Sequence, residues 1–236
     1  LAPVIDRILK LGAKSMQTPV EIEIAVNTER SADKKPDFSI LQIRPIASAY
    51  SESDVEIDDE DIASAYVYAT SVMGNGIVEG IQDIIAIRED RFKASEMSAM
   101  AAELSALNAK MEGKEYVLIV AGRLGSSDRW LGIPCAWSDI SHARVIVETG
   151  LPDMQVEPSQ GTHFFQNMTS LGCIYLTVNP TFNEGSLDFS LLDTLERIEE
   201  TPHFIHYHSM NDLVIKANGL EKKAVIRPYK EIVSWD

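Results

Sequence analysis

Along the first 46 residues the spacing of hydrophobic positions changes twice. Between residues 3 and 16, Val4, Ile5, Ile8, Leu9 and Met16 recur at near-helical spacing. Pro3 ahead of them suits a first helical position, whose N–H would be unpaired in any case, so a short helix is predicted. After Pro19 the segment EIEIAV alternates strictly, with Glu21, Glu23 and Ala25 on one face and Ile22, Ile24 and Val26 on the other. This is the period of a strand. Residues 28–37 are polar and contain Pro36, and FSILQIRPI (38–46) then reads as a second strand ended by Pro45. Two strands on either side of a polar connector predict a hairpin.

Further along, AYVYATSV (65–72) has a β-prone pattern, glycines break the chain at 74–76, and DIIAI (83–87) predicts another strand. The clearest helix spans 94–111. There Met97, Met100, Ala101, Leu104, Leu107 and Met111 form one apolar stripe that reads as core packing, with Gly113 just past its end. YVLIVAG (116–122), ARVIVE (143–148) and CIYLTV (173–178) are continuous apolar, β-branched runs of the kind found in buried strands. A helix is predicted over 188–199, with Phe189, Leu192, Leu195 and Ile198 inward and Pro202 preventing its continuation. HFIHYHSM (203–210), DLVIKA (212–217) and AVIRPY (224–229) finish the chain as β structure, with Asn218-Gly219 as turn residues. Helices and strands mix without a regular βαβ repeat. The expected class is therefore α+β, or irregular mixed α/β.

Composition narrows this picture. A hydrophobic content of 45% over 236 residues supports a packed core and excludes disorder throughout. No run of about 18 apolar residues and no signal-peptide pattern occurs, so the sequence predicts a cytoplasmic protein that neither spans nor binds a membrane. The net charge of −15 argues against nucleic acid as a partner, because that affinity comes from clustered Lys and Arg. Seven carboxylates and no base fall within residues 52–61, and such a run reads as a solvated linker. The expected organisation is thus an N-terminal piece (1–50), an acidic linker (51–61) and an α+β accessory domain (62–236). Cys135 and Cys173 lack metal-ligand spacing and are expected to be reduced, buried thiols.

Candidate chemistry concentrates in the hairpin. If its strands are antiparallel neighbours, Gln42 and Arg44 share a face about 7 Å apart along the strand, and Glu23 can join them. A carboxylate supplies a hard oxygen for Mg²⁺, a guanidinium forks onto phosphate oxygens, and an amide orients either. Exposed strand faces also carry such residues without any ligand. The strings PVEIEIAVN and FSILQIRPI resemble the end of the nucleotide-binding domain in the pyruvate phosphate dikinase and phosphoenolpyruvate synthase family. There, an Ile-Glu strand and a Leu-Gln-X-Arg-Pro strand close an ATP-grasp fold, and the resemblance covers roughly residues 3–46. It implies that Glu23 is the metal-binding carboxylate, that Gln42 lies at the metal and phosphates, and that Arg44 contacts the phosphates; Glu21 is a weaker acidic candidate. It also implies ATP and Mg²⁺ as cofactors, an upstream nucleotide-binding domain of the same polypeptide as partner, and a small acceptor such as pyruvate. The chain would then be the C-terminal part of a longer phosphotransferase. The family's Gly-rich phosphate loop is not in this sequence, so the chain alone is expected to bind ATP poorly.

Beyond residue 62, SHARVIVETGLP (141–152) is faintly similar to the family's phosphohistidine segment. His142 is the corresponding phosphoryl-carrier candidate, although the preceding glycines and threonine are absent and a polar strand-end histidine reads equally well. His206 and His208 alternate onto one strand face near His203, a pattern able to bind zinc or nickel, or simply half-buried strand histidines. His163, beside Phe164 and Phe165, reads as packing. The loop GRLGSSDRWLGIP (122–134) has glycines and serines enough to bind an anion at backbone N–H groups, or to act only as a loop. No Ser-His-Asp or Cys-His arrangement stands out. A regulatory or interaction module is the alternative reading of residues 62–236.

Overall fold

A computed structural model describes residues 2–16, 20–27, 37–45, 55–126, 132–151, 156 and 172–229. His163 and Trp130 lie outside these residues. The fold is α+β, and the chain packs as two compact units, Leu1–Ala49 and Tyr50–Asp236. Among the described residues no helix is long and apolar enough to cross a membrane.

In the first unit, helix α1 (Ala2–Met16) precedes strands β1 (Val20–Asn27) and β2 (Asp37–Pro45), which pair antiparallel. The pairing shifts after Glu23: Gln42 lies opposite Glu23, but Ile40 lies opposite Ile24, leaving Leu41 as the extra residue of a β-bulge. The bulge matters because strand faces alternate with period two. Uninterrupted, FSILQIRP would put Phe38 and Ile40 on the face of Gln42. With Leu41 set out, Phe38 and Ile40 instead join Val26 and Ile24, their register partners. Helix α1 comes close to the apolar side at Gly12, where an added Cβ would sit 2.5 Å from Ile43 Cδ1 and 2.8 Å from Val20 Cγ2. Among the described residues of this unit only Gly12 and Val20 are buried.

The second unit is built on a seven-stranded sheet. Its centre is four parallel strands in sequence order: β6 (Asp83–Ile87), β7 (Tyr116–Ala121), β10 (Ala143–Thr149) and β11 (Ile174–Val178). Each of these is buried along nearly its whole length. This explains why their sequences are continuous apolar runs rather than alternating ones. Short β4 (Ser71–Met73) adds antiparallel to β11. On the other side β14 (Phe204–His208) pairs antiparallel with β6, and β13 (Glu196–Glu200) with β14. One face is covered by α3 (Met97–Lys110), whose Met97, Met100, Leu104 and Leu107 are buried against Ile85, Leu118 and Ile146. The stripe expected on this helix is its core face, the first turn (Ala94–Glu96) being 3₁₀ rather than α.

The opposite face packs on a five-stranded antiparallel sheet of β3 (Val67–Ala69), β5 (Gly76–Val78), β12 (Ser186–Leu187), β15 (Val214–Asn218) and β16 (Lys223–Arg227). The stretch 65–72, read as one strand, is therefore two, β3 and β4, that belong to different sheets. Gly76, read as part of a break, opens a strand.

Two expectations are corrected. The helix predicted over 188–199 is a single turn, α4 (Phe189–Leu192), followed by β13. Pairing of Glu196–Glu200 with β14 takes those residues out of the helix, and Ile198, at the register shift of that pair, is exposed instead of inward. Part of the stretch read as solvated linker is packed. Val55 and Asp61 are buried, and α2 (Asp59–Ala63) is capped by Asp58 in a reciprocal box with Asp61. Asp61 is 3% exposed and accepts from Lys216 Nζ and Arg227 Nε, both at 2.6 Å. Burial pushes its pKa up, but the two cations outweigh this and hold it below the ordinary value. The repulsion expected of the acidic run is offset at this point by two bases that lie more than 150 residues later in the chain.

Candidate functional site

The hairpin brings together the residues singled out from the sequence. Glu23 is the direct cross-strand partner of Gln42, and Glu21 of Arg44. Directly opposed residues share a face, so positions 21, 23, 42 and 44 line one side while Ile22, Ile24 and Ile43 alternate to the side that α1 covers. Glu21, Glu23 and Gln42 are exposed. The bulge at Leu41 keeps Phe38 and Ile40 off this face, which continues with Ala25 opposite Ser39 and Asn27 opposite Asp37. The donor set, two carboxylates and an amide with a guanidinium residue on the same face, suits a hard cation and phosphate oxygens.

His142 lies in a turn at the N-terminal end of β10. Its amide donates to Asn108 Oδ1 at 3.1 Å and its carbonyl accepts from the Tyr116 amide at 3.3 Å. Asn108 is itself buried and also accepts from Tyr116 Oη. These contacts hold the backbone of His142, and its imidazole is half-buried.

The histidines near the C-terminus do have acidic partners, which local sequence did not show. Asp83, buried at the start of β6, accepts from His206 Nε2 at 2.8 Å and His208 Nδ1 at 3.0 Å on the same oxygen. Burial raises the Asp83 pKa, but the two imidazoles outweigh it and keep the carboxyl ionised below its ordinary range. His203 lies between Glu103 and Glu96, at 2.6 and 2.7 Å from its two ring nitrogens. Among the described residues no group of three or more His, Cys, Asp or Glu is placed to hold a metal. Asp83 is separated from these histidines by more than 120 residues and reaches them only through the β6–β14 pairing. Glu96 and Glu103 are seven residues apart, two helical turns, and so share a face. That spacing is visible in the sequence, but the histidine inserted between them is not.

In the loop after β7, whose residues 127–131 lie outside the described ones, three backbone amides are used internally. The amide of Gly122 donates to the Thr149 carbonyl, that of Gly125 to the Ile133 carbonyl, and that of Leu124 to Glu148 Oε1 at 2.8 Å. One of these donors is thus occupied by a carboxyl group of the protein itself. Glu148 is fully buried and also accepts from Tyr175 Oη at 2.5 Å. Two short strands, β8 (Arg123–Leu124) and β9 (Gly132–Ile133), close the loop. Gly132 is required there, since a Cβ would lie 1.9 Å from the Arg123 carbonyl oxygen. Burial pushes the thiols of Cys135 and Cys173 up to about 12 and about 11, so both stay as unreactive thiols.

A cleft of about 300 Å³ opens between the end of β6, β14 and α4, with Phe189 on its apolar side. Several of its charged groups are linked by ion pairs. Asp90 lies 3.6 Å from Arg88, Arg88 reaches Glu200 at 3.3 Å, Glu200 pairs with Arg197 at 2.9 Å, and Arg197 pairs with Asp193 at 2.8 Å. Asp193 in turn accepts from Tyr207 Oη at 2.6 Å. These ion pairs link the end of β6 to β13 and to the C-terminal end of α4.

No match to this chain was found among family models, curated proteins or solved structures. The class that its own residues define is an α+β protein with a polar face on its N-terminal hairpin.

Proposed function

We propose that residues 1–46 are the closing piece of an ATP-binding phosphotransferase domain resembling that of phosphoenolpyruvate synthase and pyruvate phosphate dikinase. In this reading Glu23 holds Mg²⁺, Gln42 orients the metal and phosphates, and Arg44 binds phosphate. The observation that carries the reading is the cross-strand register, Glu23 opposite Gln42 and Glu21 opposite Arg44, on the face that α1 leaves open. A second observation supports it. A two-stranded hairpin with one helix buries too little apolar surface to be stable alone, and here Val4, Leu11, Ile40 and Leu41 are about half exposed or more. Such a piece belongs against a larger domain, which in this reading is the upstream nucleotide-binding domain of the same polypeptide.

The hairpin's residues do the binding and orienting, while bound Mg²⁺ and ATP would supply charge neutralisation and the transferable phosphoryl group. The test is Mg-ATP binding by the polypeptide extended upstream through that domain, compared with its Glu23→Ala and Arg44→Ala variants. Each variant is expected to bind at least about tenfold more weakly, the equivalent of losing one charge-assisted contact of about 1.4 kcal/mol. Equal binding by all three proteins would remove the assignment. In the same reading the acceptor is a small molecule such as pyruvate, the compartment is the cytoplasm, and His142 is the candidate carrier.

The second reading makes residues 62–236 a regulatory or interaction module. It is favoured by the ion pairs among the charged groups of the cleft and by the commitment of His203, His206 and His208 to carboxylates. Acid-labile phosphate on the extended protein that disappears in His142→Ala supports the carrier role. Phosphate that persists in that variant, or none in either protein, supports the module.

A further inference from the structure

His203 is 7% exposed at its side chain and has a carboxylate at each ring nitrogen, Glu103 Oε1 on Nδ1 and Glu96 Oε2 on Nε2. Only the imidazolium can donate from both nitrogens at once. When it is neutral, one nitrogen must present a lone pair to a carboxylate within about 3 Å, which is repulsive.

The two carboxylates are not held equally. Glu103 also accepts from Thr201 Oγ1 at 2.5 Å and from the His203 amide at 3.0 Å, and its side chain is largely buried. Glu96 has one further partner, Lys93 at 3.2 Å, and its side chain is 39% exposed. It stands at the end of the 3₁₀ turn Ala94–Glu96, which is closed by a bond of 2.9 Å from the Glu96 amide to the Lys93 carbonyl. Arg88, whose amide donates to the His203 carbonyl at 2.7 Å, is engaged with Glu200 and Asp90.

We propose that His203 is a proton-operated latch on the start of α3. The imidazolium ties Glu96 and Glu103 together, and the neutral ring keeps its Nδ1–H on Glu103 and releases Glu96 with its turn. Burial pushes the His203 pKa down, but the two carboxylates outweigh it, so the folded value lies above the ordinary 6.5. For a raised value, the latch is fully engaged below about pH 6.5 and opens as pH rises through the folded value. The opening equilibrium of the turn then climbs by about tenfold for each unit by which the folded value exceeds the released one.

The test is an NMR titration of the five histidine rings in the intact chain, together with amide exchange corrected for the intrinsic pH dependence. The His203 ring, assigned from its absence in His203→Gln, is expected to titrate above 6.5, and Glu96→Gln to lower that midpoint. Because Glu96 is partly exposed, this variant retains the fold even if His203→Gln does not. Exchange of the Glu96 amide is expected to accelerate above the midpoint, while the Thr201 and Phe204 amides stay protected. A midpoint at or below 6.5, no change in Glu96→Gln, or release of the Thr201–Phe204 turn together with Glu96 would overturn the proposal.

Discussion

Replacing Asp61 with alanine tests whether the acidic stretch is folded, as the structure has it. The substitution leaves Lys216 Nζ and Arg227 Nε, each 2.6 Å from an Asp61 oxygen, without that carboxylate. Removing one partner of a buried ion pair costs about 3–5 kcal/mol. Here the two bases keep 22% and 18% of their side-chain surface exposed, so water takes up part of the loss and the lower end, about 3 kcal/mol, is appropriate. Losing the Asp58–Asp61 capping box adds about 0.5–1 kcal/mol. Asp61→Asn keeps the shape and one acceptor but not the charge, and should cost about half as much.

The assay is urea unfolding followed by tryptophan fluorescence, because all three tryptophans, Trp130, Trp137 and Trp235, belong to the second unit. The pH dependence supplies a second check. The folded Asp61 carboxyl is held below its unfolded value, so its contribution is complete above about pH 4 and fades as pH falls through the folded value. The gap between wild type and Asp61→Asn should therefore close in acid. An Asp61→Ala protein no less stable than one with the exposed Asp59 replaced by alanine would refute the reasoning and return residues 55–61 to a solvated linker.

Three further outcomes are expected. Glu148→Ala strands the Leu124 amide and the Tyr175 hydroxyl inside the core, so it should cost at least about 3 kcal/mol in the same urea assay, with Glu148→Gln milder. Cys135 and Cys173 should resist an aromatic disulfide reagent at pH 8 in the native protein and react within minutes in urea, since burial holds both thiols far above that pH; rapid native labelling would contradict their packing. Gly12→Leu should push α1 off the hairpin at Ile43 and Val20, destabilising it by about 1–3 kcal/mol and raising amide exchange in β1 and β2.

Several parts of the fold can be read locally because the physics that makes them is local. The α1 stripe, the alternation of β1, the core face of α3 and the continuous apolar runs of the parallel strands each record which side of an element meets the core, and burial follows that period. The polar face at Glu21, Glu23, Gln42 and Arg44 is legible for the same reason, since alternate residues share a face and a polar connector signals a hairpin. The Leu41 bulge leaves no such mark, because a one-residue shift in register depends on the partner strand.

What only the tertiary structure decided are the interactions between residues far apart in the chain. Glu196–Glu200 has a composition as suited to a helix as to a strand, and its state is set by the open edge that β14 offers. The carboxylates of Asp61, Asp83, Glu103 and Glu148 are ordinary acidic residues in sequence. Each becomes a satisfied carboxyl in a buried or nearly buried place only because a base, an imidazole, a hydroxyl or a backbone donor from elsewhere in the chain arrives to meet it. A hydrophobic pattern specifies which face is covered, whereas the partner of a buried charge is specified by topology. For that reason the sequence alone determined the class, the hairpin and its polar face, while the packing of the acidic stretch, the histidine–carboxylate pairs and the occupied loop donors depended on the folded chain.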